Sequence, residues 1–147
     1  MVFDVKIFTN DLKEIYLYNQ ASIMLNNEPF KTDSLSIEIF NTSRLQMNVA
    51  VDFLQLKAAN QSIVNLNGSA SFIEVTAQNA GRIEAENLIA KEVDAYAGNA
   101  SYMNIHASEK LSVNISSAGR INYLGQPQIT KNSISSAGQL NSINPSE

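Results

Sequence analysis

The side chains best suited to grip a ligand are three guanidinium groups. Arg44, Arg82 and Arg120 are all the arginines of the chain. A guanidinium fork pairs bidentately with carboxylate or sulfate, so a row of them would engage an anionic polymer. The competing reading is a solvated edge in which such charges pair with neighbours like Glu84 and contribute little. Tyr16, Tyr18, Tyr96, Tyr102 and Tyr123 are candidate platforms for sugar stacking. Tyr96 and Tyr102 flank one corner of small residues and read as the best exposed pair, whereas Tyr123 falls in an apolar slot and reads as packing. Asn65, Asn104, Asn122 and Asn141 recur after apolar residues. They suit a stack of hydrogen-bonded amides, or a polar strip for sugar hydroxyls. The stack is favoured, facing outward and interrupted at Glu84.

Catalytic constellations are thin. His106 has Ser108 and Glu109 nearby, but no nucleophile-elbow pattern surrounds them, so it reads as a surface histidine. Glu84, Glu86, Glu92 and Asp94 are reminiscent of the carboxylate pairs that cleave polysaccharides. Charges of this kind normally solvate a face, and the chain is read as a non-enzyme. Triplets of the form Asn-x-Ser/Thr begin at Asn41, Asn60, Asn67, Asn99 and Asn114. Asn before small corner residues produces such triplets by composition.

Composition narrows the classes further. The 147 residues carry ten Lys and Arg against fourteen Asp and Glu, for a net charge of −4. No basic surplus exists to bind a phosphate backbone, so nucleic acid is not an expected partner. The absence of Cys and the single His remove disulfides, thiolate zinc sites and His-rich metal sites. No metal or cofactor is expected. No apolar run approaches the roughly 20 residues of a membrane span, and Met1–Asn10 lacks a signal-peptide core.

The elements that must position these residues are strands. Apolar residues alternate in Leu35-Ser36-Ile37-Glu38-Ile39, Ile73-Glu74-Val75-Thr76-Ala77 and Leu111-Ser112-Val113-Asn114-Ile115, the pattern of half-buried strands. A repeat organises almost the whole chain. Ala80-Gly81-Arg82-Ile83-Glu84-Ala85 matches Ala118-Gly119-Arg120-Ile121-Asn122-Tyr123 and Ala137-Gly138-Gln139-Leu140-Asn141-Ser142, with weaker copies upstream. The apolar anchors are Ile23, Leu45, Val64, Ile83, Met103, Ile121 and Leu140, separated by 22, 19, 19, 20, 18 and 19 residues. Two residues before each anchor stands Ala, Ser or Gly. Ten, eight and six residues before it stand further, mostly apolar residues, weakening to Thr130, Asn132 and Ile134 in the last copy. Length varies only between an anchor strand and the next copy.

A unit of 18–22 residues is too short for a helix pair or a propeller blade and fits one coil of a parallel β-solenoid. An all-β, single-stranded parallel β-helix of about six or seven coils is therefore expected, roughly 29 Å along its axis. The alternative, an antiparallel sandwich, does not hold seven copies in one register. The small residue before each anchor fits a stacked corner with no room for a large side chain. Gly81, Gly119 and Gly138 would also allow positive φ there. Residues 1–18 form an N-terminal coil or cap, with Ile15 and Leu17 in the inward slots before Ile23. Residues 19–143 form the repeats and 144–147 a polar tail, all within a single domain. The arginines occupy the slot just before the anchor on alternate coils, about 9.6 Å apart along one edge.

The corners Ala80–Leu88, Ser116–Pro127 and Ser135–Gly138 resemble those of the putative auto-transporter adhesin, head GIN domain family. That family repeats a Ser-Gly-Ser-Gly-Asp-Ile type corner and ends with a Tyr-x-Gly-x-Pro stretch, matched here by Tyr123, Gly125 and Pro127. The resemblance covers roughly Val2 to Ile143. Where the family places Asp in the corner, this chain has Ser22, Arg44, Ile63, Arg82, Tyr102, Arg120 and Gln139, so any cation site built on those Asp residues does not carry over. The resemblance implies a right-handed parallel β-helix and an extracytoplasmic setting: periplasm, outer-membrane-attached or cell surface. It implies a non-catalytic, adhesin-like bacterial envelope protein that binds glycan or another envelope component. The residue types and their spacing, not the resemblance, make Arg44, Arg82, Arg120, Tyr96 and Tyr102 the candidate contacts. A self-associating, homo-oligomeric scaffold is the second reading and a polysaccharide-active enzyme the third.

Overall fold

The computed structural model describes residues 11–25 and 28–144. The expectations for residues 1–10, and for the tail from Pro145 onward, lie outside the described residues. Ten strands follow one another: β1 (Glu14–Leu17), β2 (Ser22–Met24), β3 (Phe30–Ile39), β4 (Arg44–Ala59), β5 (Ile63–Gln78), β6 (Arg82–Ala97), β7 (Tyr102–Ile115), β8 (Arg120–Leu124), β9 (Gln128–Ile134) and β10 (Gln139–Ser142). Among the described residues there is no helix. Each strand pairs in parallel with the strand one turn away in sequence. The molecule is a parallel β-solenoid of about seven turns.

All seven anchors lie in one vertical column. Ile23 pairs with Leu45, Leu45 with Val64, Val64 with Ile83, Ile83 with Met103, Met103 with Ile121 and Ile121 with Leu140. The preceding wall repeats this in three further columns. One runs Leu35, Leu54, Ile73, Val93, Leu111, and those headed by Ile37 and Ile39 run beside it. Ile15 and Leu17 extend the last two by pairing with Ile37 and Ile39. Period-two alternation sends these side chains inward and their neighbours outward, so stacking the turns buries a continuous apolar core. The length variation falls where the repeat spacing places it, as register shifts between Glu84 and Ile89 and between Ala90 and Glu92.

The tight corner is one conserved turn geometry, seven times over. Four residues, such as Gln78-Asn79-Ala80-Gly81, close with an N–H of the fourth donating to the carbonyl of the first, 2.9 Å in that turn. Both central residues have positive φ in every corner: Asn19 and Gln20, Asn41 and Thr42, Asn60 and Gln61, Asn79 and Ala80, Asn99 and Ala100, Ser117 and Ala118, Ser136 and Ala137. Positive φ at both central positions is the mark of a type I′ turn. Positive φ therefore sits one and two residues before Gly81, Gly119 and Gly138, not on these glycines. What demands glycine at Gly81 is space, because a Cβ there would stand 2.4 Å from the Ala58 carbonyl oxygen of the turn below. Where the same slot holds Ser62 or Ser101, the hydroxyl donates to the equivalent carbonyl, of Ile39 or Ala77, at 2.9 and 2.8 Å.

The final turn departs from the ideal register. A shift between Leu111 and Ser112 pairs Leu111 with Ile129, so Thr130 drops out of the inward column where the repeat spacing puts it. Its hydroxyl reaches back to the Leu111 carbonyl. Asn144, where the polar tail begins, is anchored to the turn before it. Its amide accepts from the Gly125 N–H at 2.8 Å and donates to the Gly125 carbonyl at 2.7 Å. Gly125, at φ 94°, leaves no room for a Cβ, which would lie 2.0 Å from the Ala107 carbonyl oxygen.

The corner geometry makes adjacent residues respond oppositely. Gly81→Ala should destabilise the fold by about 1–3 kcal/mol, the usual cost of overpacking. Ala80→Gly, at φ 59°, should be neutral or slightly stabilising, because it removes a left-handed penalty of roughly 1 kcal/mol. Urea unfolding of the two variants measures both effects, and a milder effect at Gly81 than at Ala80 would refute the assignment.

Candidate functional site

The corner divides two outward-facing walls. On the wall after it, the slot before the anchor runs Ser22, Arg44, Ile63, Arg82, Tyr102, Arg120, Gln139 as one column. The three arginines are exposed and stand on alternate rungs, about 9.6 Å apart. They are not equivalent. Arg82 donates from Nε to Glu84 Oε1 and lays its guanidinium over the Tyr102 ring, 4.9 Å from the centroid. Among the described residues, Arg44 and Arg120 have no carboxylate within ion-pair distance. Tyr102 is half-buried between Arg82 and Arg120, and its hydroxyl accepts from Asn122 Nδ2 at 2.9 Å.

Beside this column runs the amide stack. Asn141 donates to Asn122 at 3.0 Å, Asn122 to Asn104 at 3.0 Å, and Asn104 to Glu84 Oε2 at 2.7 Å. The stack stops at Glu84, as the sequence suggests, because the carboxylate accepts the last amide and Asn65 beyond it makes no bond to the row. One carboxylate oxygen takes the amide chain and the other takes Arg82. The whole stack does not face solvent, since Asn122 is only 8% exposed. Its position under Tyr102 explains that covering. The result is a rigid, hydrogen-bonded patch of Arg82, Glu84, Tyr102, Asn104 and Asn122.

A second amide stack was not anticipated. Asn19, Asn41, Asn60, Asn79 and Asn99, the first left-handed residue of five successive corners, pass one hydrogen bond each along the axis, at 3.2, 2.9, 3.0 and 2.9 Å. The signal was present as Asn recurring four residues before the anchor. It explains the Asn-x-Ser/Thr triplets at Asn41, Asn60 and Asn99, whose amide nitrogens are committed to the stack. Asn67 likewise donates to Asn48 at 3.2 Å.

The other sequence candidates are dispersed. Tyr96 and Tyr102 are both half-buried and lie on different walls, so they are not the best exposed pair. Tyr96 leans over Gly98 and its hydroxyl sits 3.3 Å from Ser116 Oγ. Tyr16 and Tyr18 are far more open, at 49% and 47%. Tyr123 packs against the core. His106 lies in strand β7 between Ile89 and Leu124, with Nδ1 3.3 Å from the Glu86 carbonyl oxygen. Ser108 Oγ bonds the Ala90 carbonyl, so neither group is set against the other as base and nucleophile. Glu92 pairs with Lys110 at 2.7 Å, which raises the lysine's pKa. Tyr16 is raised as well, first by the neighbouring Glu14 carboxylate, then by burial, Glu38 and Tyr18. Among the described residues, no group of three or more His, Asp and Glu is placed to hold a metal ion.

Residues 2–127 match the family described as putative auto-transporter adhesin, head GIN domain. A putative adhesin from Bacteroides fragilis superposes with a TM-score of 0.83 at 25% identity, over 90% of this chain and 61% of that one. A putative lipid binding protein from Parabacteroides distasonis gives 0.76 at 20% identity, over 90% and 62%. A putative adhesin from Parabacteroides merdae gives 0.70 at 20% identity, over 90% and 64%. The latter two likenesses speak to fold alone. This chain spans less than two thirds of each of these proteins. No curated protein matches it.

Two outcomes follow from the stacks and charges. Asn60→Ala removes two amide bonds and leaves Ala at φ 56°, so it should cost about 1–3 kcal/mol in urea unfolding. Asn65→Ala, an exposed residue of the other stack's column, should stay within roughly 0.5 kcal/mol. In a pH titration followed by NMR at the tyrosine ring carbons, Tyr16 should ionise above the ordinary phenol range. Glu14→Gln should bring it back down, because removing the carboxylate removes the main charge that disfavours phenolate.

Proposed function

Since the chain belongs to the putative auto-transporter adhesin, head GIN domain family, we propose that it is a non-catalytic, adhesin-like protein of the bacterial cell envelope or surface that binds an acidic glycan. The observation that carries this reading is the arginine column. Arg44 and Arg120 present unpaired guanidinium groups at either end, and Arg82 is fixed between them by Glu84 and Tyr102. A linear polyanion lying along the rod would meet Arg44 and Arg120 as bidentate partners. Tyr102 and Asn104 would offer a flat polar surface between them, held from beneath by Asn122. Arg82 is half-neutralised, so its part is to hold Tyr102 in place. Tyr96 lies on the other wall and does not join this surface. An extracytoplasmic location accords with the family and with such a ligand.

A self-associating scaffold is the second reading. It is favoured by the exposed Ile129, Ile134 and Ile143 of the last turn.

The test is a glycan array carrying uronate and sulfated polysaccharides, probed with the native chain and an Arg44→Ala/Arg120→Ala variant. The native chain should bind acidic glycans in a salt-sensitive manner, and the variant should lose about tenfold or more in affinity. Arg82→Ala should also weaken binding by loosening Tyr102. Equal binding by native and double-variant chains would sink the acidic-glycan reading. Sedimentation of the same samples reads out self-association.

A further inference from the structure

The wall preceding the corner carries a feature that the arginine column does not account for. We propose that it holds a second binding site, a platform for a neutral hexopyranose residue built on Tyr16 and Tyr18. Tyr16 points outward on β1 and Tyr18 follows directly after the strand; they are the most open tyrosines among the described residues, at 49% and 47%. Tyr18 stacks on Phe40 of the next turn, with centroids 5.3 Å apart and planes 12° from parallel. That contact fixes the ring while nearly half of the residue stays in solvent. Lys57 extends over Phe40 from the following turn, 5.7 Å from the centroid.

The polar partners stand on the same wall. Tyr16 is in register with Glu38, Glu38 with Lys57, and Lys57 with Thr76. Glu38, the register partner of Tyr16, also lines a groove of about 240 Å³ together with Gln55, Lys57, Glu74, Thr76 and Gln78. An immobilised aromatic surface next to carboxylates, amides and a hydroxyl matches the two-sided chemistry of a pyranose. Its C–H face lies against a flat ring, and its hydroxyls donate to carboxylates and amide oxygens.

Charge selects among ligands. Glu14, Glu38 and Glu74 disfavour an anionic sugar. Lys57 lines the groove, lies over Phe40 and offsets part of that negative charge. A neutral hexose fits this mixed lining, because its hydroxyls can donate to the carboxylates and accept from the ammonium. The corner separates this platform from the arginine column, so the two sites can fail independently.

The experiment titrates the native chain with cellohexaose, laminarihexaose, mannohexaose and galactohexaose, and with choline as a cationic control. Amide NMR shifts are recorded, together with tyrosine emission, which is unmasked because the chain has no Trp. At least one hexasaccharide should move the Tyr16, Tyr18, Glu38 and Thr76 resonances at about millimolar concentration. Tyr16→Ala/Tyr18→Ala should weaken that binding roughly tenfold or more, and Tyr18→Phe should retain it. Glu38→Gln/Glu74→Gln, which leaves the rings untouched, should weaken it too. Arg44→Ala/Arg120→Ala should leave it unchanged. The proposal is overturned if no hexasaccharide moves these resonances by about 10 mM, if choline binds and the sugars do not, or if both double variants on this wall bind as the native chain does.

Discussion

The structure depends on one constraint: outside the register shifts, strand residues pair in parallel with their counterparts one turn away. In a solenoid this ladder has no sideways freedom, so a choice made at one position is inherited by the whole column. A single misplaced residue would move an inward side chain to the outer face. Seven anchors in register from Ile23 to Leu140 therefore do more than fill a core. They fix which outward side chains become vertical neighbours. The arginine column and the amide stack beside it are consequences of the same registration that buries Leu66, Ile83 and Met103.

The corner is where that constraint is hardest to satisfy. Two consecutive left-handed residues cost an ordinary side chain roughly 1–2 kcal/mol each, and the corner is repeated seven times. The ladder continues through it. Gln20, Thr42, Gln61, Ala80, Ala100 and Ala118 each donate a backbone N–H to the carbonyl of the left-handed residue one turn on, at 2.8 to 3.1 Å. Asn at the first left-handed position tolerates the backbone and adds a side-chain bond of about 1 kcal/mol per step. The Asn stack ends at Asn99, where Ser117 and Ser136 take over. The close approach of backbone in the slot before the arginine position is found both within the Asn stack, at Gly81, and beyond it, at Gly119 and Gly138.

The period of this sequence was enough to read the columns, because residues that must stack must recur. Ile15 and Leu17, at the edge of the repeat, were placed correctly for that reason. Properties that depend on a side chain's vertical neighbours were harder to read. Asn122 looks exposed from alternation alone and is covered because Tyr102 happens to occupy the adjacent column one rung away. Glu84 breaks the row of Asn, as the sequence suggests, and is also its acceptor, since a carboxylate oxygen receives an amide as readily as another amide does. The glycines misled for a different reason. Gly is associated with positive φ, yet here Asn and Ala carry that conformation and Gly81 supplies the missing Cβ. Tyr16 and Tyr18 gave no local sign of being more open than Tyr96, whose ring is drawn over Gly98.

A rod of stacked turns also constrains what kind of ligand it can hold well. The described residues form open grooves and flat walls, and contacts on a flat wall are individually weak because water competes for each of them. Affinity must then come from several contacts made at once, which favours a ligand with its own linear repeat. Rungs spaced about 4.8 Å apart offer such a ligand contacts at fixed intervals. A small isolated molecule would gain from only one rung. A polymer lying along such an axis gains from each rung it crosses without ordering any protein backbone.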